Sequence, residues 1–463
     1  MRLLKAILDF FMIIHQYLET WHETCTVAVQ KKSLVAYTKA FRSHEPEQSL
    51  DRQGPTMLMR TKTAIVHDYL TQSGGAERVA SALHSLFPSS PLYTSVYDAE
   101  ETLPYFRGVD VRTSFLQRWP FSSNRAHKLA LPFYPAAFEE FDFQDYDLVL
   151  SSSSSFAKGV ITPPAACHIS YCHTPSRFAW RQQEYLSQSR RGRALYPLLR
   201  GILSRLRSWD VESAQRPDYF IANSINVARR IRKYYRREVS AVIPPPVDTA
   251  KYAPVGPDQI GDHFLVVSRL VGYKRIDLAI DACNQIGAPL KIIGCGSDLG
   301  GLQRRAGPTI QFLGRLSDQE VAAEYARCRA LIFPGEEDFG LTPVECMASG
   351  RPVVAFARGG ALETVVDGHT GLLFRDQTPE SLASALEQLS EVSFSPAALC
   401  AHAAHFDLAV FNRRMLSFIE AAMNQHAEIY RQDKNSPDCF SIAPPRQGTL
   451  AMPPLNLSKL GGK

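Results

Sequence analysis

Glu337 and Glu345 are separated by seven residues, and the peptide between them carries Gly340 and the pair Thr342-Pro343. Ionised carboxylates accept hydrogen bonds from hydroxyl groups. Before them, the apolar run 330–333 reads as a buried strand; after the loop, Thr342, Pro343 and Glu345 open a helix. Strand, glycine-bearing loop and helix N-terminus form a corner where free backbone N–H groups and the helix dipole face an anion. Hydroxyl-binding carboxylates beside an anion site suit a phosphorylated sugar. A structural reading stands beside this one. Thr342-Pro343-Val344-Glu345 has the spacing of a capping box with proline at the first helical position, in which Glu345 only ties off its own helix. On that reading Glu337 is a solvated loop residue.

Other chemistry-bearing residues also sit at strand ends. Arg269 and Lys274 follow the apolar run 264–267, and together they suit a diphosphate, arginine as a fork and lysine as a point charge. His173 follows the run 169–172, at the carboxyl end of a parallel strand where open α/β sheets bind ligands. There it can donate to a sugar hydroxyl or a phosphate near neutral pH, or be a loop histidine held by hydrogen bonds. Gly74-Gly75 lies between a strand and a helical pattern, either as a plain turn or as a loop that lets a ligand approach the backbone. Asp145-Tyr146-Asp147 has the spacing of a metal-holding pair, but it leads straight into the buried run 148–150, as turn residues do. No metal site is predicted.

The elements that would position these groups alternate between strand and helix. Apolar runs at 63–66, 92–96, 147–150, 169–172 and 219–222 make a first series; runs at 264–267, 290–293, 310–314, 330–333 and 352–356 make a second. Such alternation implies α/β architecture with parallel, doubly wound sheets. The proline-rich segment 243–248 reads as the linker between them. The expected organisation is an N-terminal extension, 1–59; a first Rossmann-like domain, 60–245; a second, 246–405; a closing helix, 406–425, crossing back to the first; and a disordered tail, 433–463. The extension precedes the first strand, and Met57 and Met59 stand just before that strand. It is either an annotation extension or an amphipathic helix resting on a membrane.

A chain of 463 residues accommodates two or three domains, and 45% apolar with 21% charged residues describes an ordinary globular protein. Nine cysteines without a Cys-x-x-Cys pair argue against a structural zinc and for a reducing compartment. No run of 18 apolar residues suggests a membrane span. The net charge of +5 is concentrated. Arg190, Arg191, Arg193, Arg200, Arg205 and Arg207 interleave with leucines, and Arg229, Arg230, Arg232, Lys233, Arg236 and Arg237 follow. Basic helices with an apolar face suit an anionic membrane surface, against the alternative of solvated helix faces. No base-reading motif accompanies them, so no nucleic-acid partner is expected.

Over residues 63–425 the chain resembles glycosyltransferase family 4 ("group 1"). The matching motifs are Gly74-Gly75-Ala76-Glu77-Arg78, Tyr171-Cys172-His173-Thr174-Pro175, Ala222-Asn223-Ser224, Val267-Ser268-Arg269-Leu270 with Lys274, Phe312-Leu313-Gly314, the Glu337/Glu345 stretch, and Gly359-Gly360 with Glu363-Thr364-Val365. The resemblance is strongest to bacterial mannosyltransferases of polysaccharide assembly. It implies the GT-B fold, two Rossmann-like domains facing a central cleft, and a retaining transferase needing no cofactor or metal. The implied donor is a nucleotide sugar, GDP-mannose ahead of a UDP-sugar. The implied acceptor is polyprenyl-diphosphate-linked or a glycan, reached in the cytoplasm at the inner membrane face. By the same resemblance Glu345 holds the ribose, while Arg269 and Lys274 neutralise the diphosphate, helped by the backbone at Gly340, Leu341 and Thr342. Gly314-Arg315 lies near the base, Glu337 binds the donor sugar, His173 lies over it, and Gly74-Gly75 admits acceptor and phosphates. A GT-B epimerase or phosphorylase, and a non-catalytic subunit, are the competing readings.

Overall fold

The computed structural model describes residues 61–119, 126–180 and 190–435. The expectation for the N-terminal extension lies outside these residues, as does most of that for the tail.

Seven strands form the first sheet: β1 (Thr63–His67), β2 (Leu92–Thr94), β3 (Val111–Thr113), β4 (Leu148–Ser153), β5 (Cys167–Cys172), β6 (Tyr219–Ala222) and β7 (Ala241–Val242), in the order β3-β2-β1-β4-β5-β6-β7. Six form the second: β8 (Phe264–Val267), β9 (Leu290–Ile293), β10 (Ile310–Gly314), β11 (Leu331–Phe333), β12 (Val353–Phe356) and β13 (Gly371–Phe374), in the order β10-β9-β8-β11-β12-β13. Every pairing is parallel. Helices cover both faces of such sheets, so β1, β4 and β5 are buried along their whole length.

Four helices bear on the site: α1 (Gly75–Leu86), α2 (Ile225–Tyr235), α3 (Leu341–Ala348) and α4 (Leu408–Asn435). In α4, Phe411, Met415, Phe418, Ile419 and Ala422 repeat at helical spacing and enter the core of the first sheet with Ile65, Ile169 and Tyr171. Each large side chain so buried contributes about 1.5–3 kcal/mol. The helix runs to Asn435, past Asp433 where the tail was expected to begin. Where the chain passes back, Val247 N–H donates to Phe406 O at 2.9 Å and Leu408 N–H to Val247 O at 3.0 Å. The two passages between the sheets therefore run side by side.

Short strands β3, β7 and β13 were not expected. Their two to four residues are too few to establish a period.

Candidate active site between the two sheets

The strand order of each sheet reverses once, between β1 and β4 and between β8 and β11. The crevice outside the carboxyl ends of the strands at such a point is where open α/β sheets hold ligands. His67 and Ser152 lie at the first reversal, with His173 after the neighbouring β5; Arg269, Lys274 and Glu337 follow the strands of the second. The two crevices face each other closely: a Cβ added to Gly75 would lie 2.8 Å from Leu341 Cδ1.

Three cations gather around one ring. The Arg177 guanidinium lies 5.2 Å and Lys274 Nζ 5.1 Å from the centroid of Tyr273, whose phenol oxygen accepts from Arg269 Nη2 at 3.1 Å. Lys274 also donates to Glu337 Oε1. Burial, with Arg269 and Arg177 beside it, pushes the Lys274 ammonium well below the usual lysine range, while Asp338 acts the other way. Arg177 and Arg269 thus crowd Lys274, and an anion bound there would favour its charged form.

Glu345 does not close a capping box. The N-cap of α3 is Gly340, at φ 92°, and the helix begins at Leu341, ahead of Thr342. The left-handed backbone at Gly340 lets the chain turn sharply into the helix. Pro343 therefore sits at the third helical position. The buried Glu345 carboxylate accepts from Arg78 Nη1 at 2.6 Å and from the Tyr325 hydroxyl at 2.9 Å. Arg78 comes from α1, so this ion pair spans the cleft.

Further contacts clasp the two halves. Asp338 accepts from Arg177 Nε at 3.1 Å and from Arg230 Nη1, and Arg230 Nη2 donates to Glu336 Oε1 at 3.0 Å. At the N-terminus of α2, Ile225 N–H and Asn226 N–H donate to Glu363 at 2.7 and 2.8 Å. Burial raises Glu363 even so, partly offset by these two bonds.

His173 is buried, with Nε2 at 2.8 Å from Ser152 Oγ. Burial and the neighbouring His67 push it down to about 4, against the opposing pull of Asp68, Glu77 and Asp338, so it is neutral at pH 7. Gly314 and Arg315 stand apart. Gly314 ends the edge strand β10, at φ 69°, and β9 and β8 separate it from β11. Gly314 O accepts from Gly294 N–H at 2.7 Å, and Arg315 is exposed. Asp147 stands at the opposite, amino end of β4, where it accepts from Lys62 N–H at 2.9 Å.

Residues 73–251 match the family profile described as Glycosyltransferase Family 4, and residues 261–391 match Glycosyl transferases group 1. The chain belongs to the group 1 glycosyltransferases. It is similar to D-rhamnosyltransferase WbpZ of Pseudomonas aeruginosa, 28% identical over 45% of this chain and 57% of the relative. It is also similar to a GDP-mannose-dependent alpha-(1-6)-phosphatidylinositol monomannoside mannosyltransferase of Mycolicibacterium smegmatis, 30% identical over 36% and 54%. The chain spans about half the length of the curated relatives it matches. Among solved structures, Anabaena HepE in complex with UDP-glucose superimposes with a TM-score of 0.57 at 20% identity, covering 78% of this chain and 99% of that one. Sucrose-phosphate synthase from Thermosynechococcus elongatus gives 0.56 at 19%, covering 81% and 99%. These likenesses show the GT-B fold.

The basic runs of this group 1 glycosyltransferase do not form two uniform faces. In the second run, Arg230 turns into the cleft and Arg237 is buried, donating to Ala214 O, Pro217 O and Asp218 O. Arg229, Arg232, Lys233 and Arg236 remain exposed. In the first, Arg200 and Arg205 are exposed but Leu203 and Leu206 are buried in the fold, so that part of the apolar face is spent on the core. The side chains of Arg190, Arg191 and Arg193 lie outside the described residues. No helix among the described residues is long and apolar enough to cross a membrane.

Sequence reasoning missed Arg78, Arg177, Arg230, Tyr273 and Tyr325 as cleft residues. Arg78 stood within a recognised motif, but its partner is 267 residues away. Nothing local marks such a pair.

Proposed function

We propose that this protein is a retaining hexosyltransferase that moves mannose from GDP-mannose to a polyprenyl-diphosphate-linked or glycan acceptor in polysaccharide assembly. The gathering of Arg177, Arg269 and Lys274 around Tyr273, with Glu337 paired to Lys274, carries this reading. We take residues 246–405 as the donor side and 60–245 as the acceptor side. Arg269 and Lys274 stabilise the charge that grows on the diphosphate as its bond to the anomeric carbon breaks. Backbone N–H groups at Gly340, Leu341 and Thr342 assist them. Glu345 accepts from the ribose hydroxyls, Glu337 from the sugar, and Gly314-Arg315 borders the base. The Arg78–Glu345 and Lys274–Glu337 pairs open as the donor arrives. The acceptor hydroxyl attacks from the face the leaving group vacates; a leaving-phosphate oxygen takes its proton, and configuration is retained. His173 donates one hydrogen bond to the sugar or phosphate, and Gly74-Gly75 admits the acceptor. The cations supply the charge stabilisation that a metal gives in other transferases.

The mycobacterial relative's name supports GDP-mannose; the UDP-glucose held by HepE supports a UDP-sugar as the alternative. Exposed Arg200, Arg205, Arg229, Arg232, Lys233 and Arg236 support peripheral contact with an anionic membrane on the cytoplasmic side. Thermal-shift titration with GDP-, UDP-, ADP- and dTDP-sugars, with and without EDTA, tests the donor assignment. Saturation at 100 times the dissociation constant adds about 2.7 kcal/mol. Stabilisation by GDP-mannose alone, unaffected by EDTA, is expected. Conversion of the donor without any acceptor would instead indicate an epimerase.

A further inference from the structure

The transfer reading gives no role to three polar residues behind His173. His67 ends β1 and stands opposite Ser152 of β4, and Ser152 stands opposite Tyr171 of β5, two residues before His173. His67 Nδ1 lies 3.1 Å from Ser152 Oγ and 3.2 Å from Ser152 O; Ser152 Oγ lies 2.8 Å from His173 Nε2. At the other end is Glu77, in the first turn of α1 and 1% exposed. Its Oε1 accepts from Gln72 Nε2 at 3.0 Å and lies 3.8 Å from His67 Nε2, while its Oε2 is buried with no hydrogen-bond partner. Its carboxylate is also packed against the backbone: a Cβ on Gly74 would lie 2.8 Å from Oε2.

A buried carboxylate is costly unless a cation faces it. Among the described residues, His67 Nε2 is the one basic nitrogen within ion-pairing distance of Glu77. The neighbouring Asp68 does not compete for that histidine, because its two oxygens accept from Ser154 N–H, Ser154 Oγ, Phe156 N–H and Ala157 N–H. Ser152 O is a carbonyl and can only accept, so the His67 nitrogen facing it, Nδ1, carries a hydrogen directed at Ser152. The Ser152 hydroxyl hydrogen is then left for His173 Nε2, and a neutral His173 must carry its own hydrogen on Nδ1.

We propose that Glu77, His67 and Ser152 are positioning residues for the transfer reaction, holding His173 in the Nδ1–H tautomer. The nitrogen not held by the sheet then offers a hydrogen-bond donor rather than a bare lone pair, which is what an oxygen of a sugar or a phosphate requires. This inference rests on the transferase reading for its purpose, but not for its test. Nitrogen-15 NMR of histidine-labelled protein reads the tautomer with no substrate present. Wild type should show His173 protonated on Nδ1. Ser152→Ala, which leaves the charges in place, and Glu77→Gln, nearly the same shape, should each yield a mixture of tautomers. With the donor and acceptor in hand, each should lower kcat ~10-fold or more while changing the donor KM little. A wild-type His173 protonated on Nε2 overturns the proposal. So does an unchanged tautomer in a folded Ser152→Ala protein. If Glu77→Gln fails to fold, Ser152→Ala still decides. Should no sugar transfer be found, the tautomer result stands by itself.

Discussion

Arg78 and Glu345, 267 residues apart in sequence and on opposite sides of the cleft, are joined by a 2.6 Å charged hydrogen bond. The pair occupies the carboxylate proposed to take the ribose. Arg78 is 39% exposed, so solvent screens the bond and its net worth is about 0.5–1 kcal/mol. Glu345→Ala should abolish stabilisation by the sugar nucleotide. Arg78→Gln should keep it and tighten donor binding about two- to fivefold, because no pair need open. Calorimetric titration distinguishes the two, and weaker donor binding by Arg78→Gln would assign that arginine to the donor instead.

Lys274 is proposed to stabilise a charge that develops only as the donor bond breaks. Lys274→Met should lower kcat about 100- to 1,000-fold with a smaller effect on donor binding. Arg269→Ala should behave similarly. Steady-state kinetics provide the check. A loss of donor affinity with kcat unchanged would mean these cations bind the ground state as tightly as the transition state.

Two buried histidines predict acid sensitivity. His173 is pushed down to about 4, and His168 to about 3 by burial with Arg237 and Arg216 nearby. Both are neutral in the fold, but the unfolded chain protonates them below about 6.5. Below that pH the unfolded state binds more protons, so their contribution is intact above it and is lost as pH falls towards the folded values. Urea unfolding should show a loss of roughly 4 kcal/mol between pH 7 and pH 5. A folded His168→Asn protein should show a shallower slope.

Gly75 lies against Leu341, so bulk there should hold the cleft apart. Gly75→Val should reduce kcat/KM by ~10-fold or more. Adding Leu341→Ala should recover part of the loss, a coupling of about 1 kcal/mol in a double-mutant cycle. Strict additivity would place the defect in the glycine's own backbone rather than in the contact.

The architecture was readable because buried parallel strands write themselves as continuous apolar runs, as at Ile65, Leu148 and Ile169. Polar strand ends were readable as well, since Arg269, Lys274, His173 and Glu337 each follow such a run. What the sequence could not separate was the two meanings of Glu345. A capping glutamate and a cleft glutamate have the same spacing, and only the left-handed Gly340 and the position of Arg78 distinguish them. The basic runs could not be resolved residue by residue for a related reason. Composition shows that Arg230 and Arg237 are charged, but which way each points depends on Asp338 and on the Ala214–Asp218 carbonyls. Partners far apart in the chain leave no local signature.

The return of α4 to the first sheet carries a consequence for synthesis. Phe411, Met415 and Phe418 complete a core begun at Ile65, yet a ribosome releases them only after the whole second sheet. At 5–20 residues per second, the first-made half waits roughly ten seconds or more with its apolar seat for α4 uncovered. The half that emerges first is the half that finishes last, and a nascent chain stalled before residue 408 should be a ready client for chaperones.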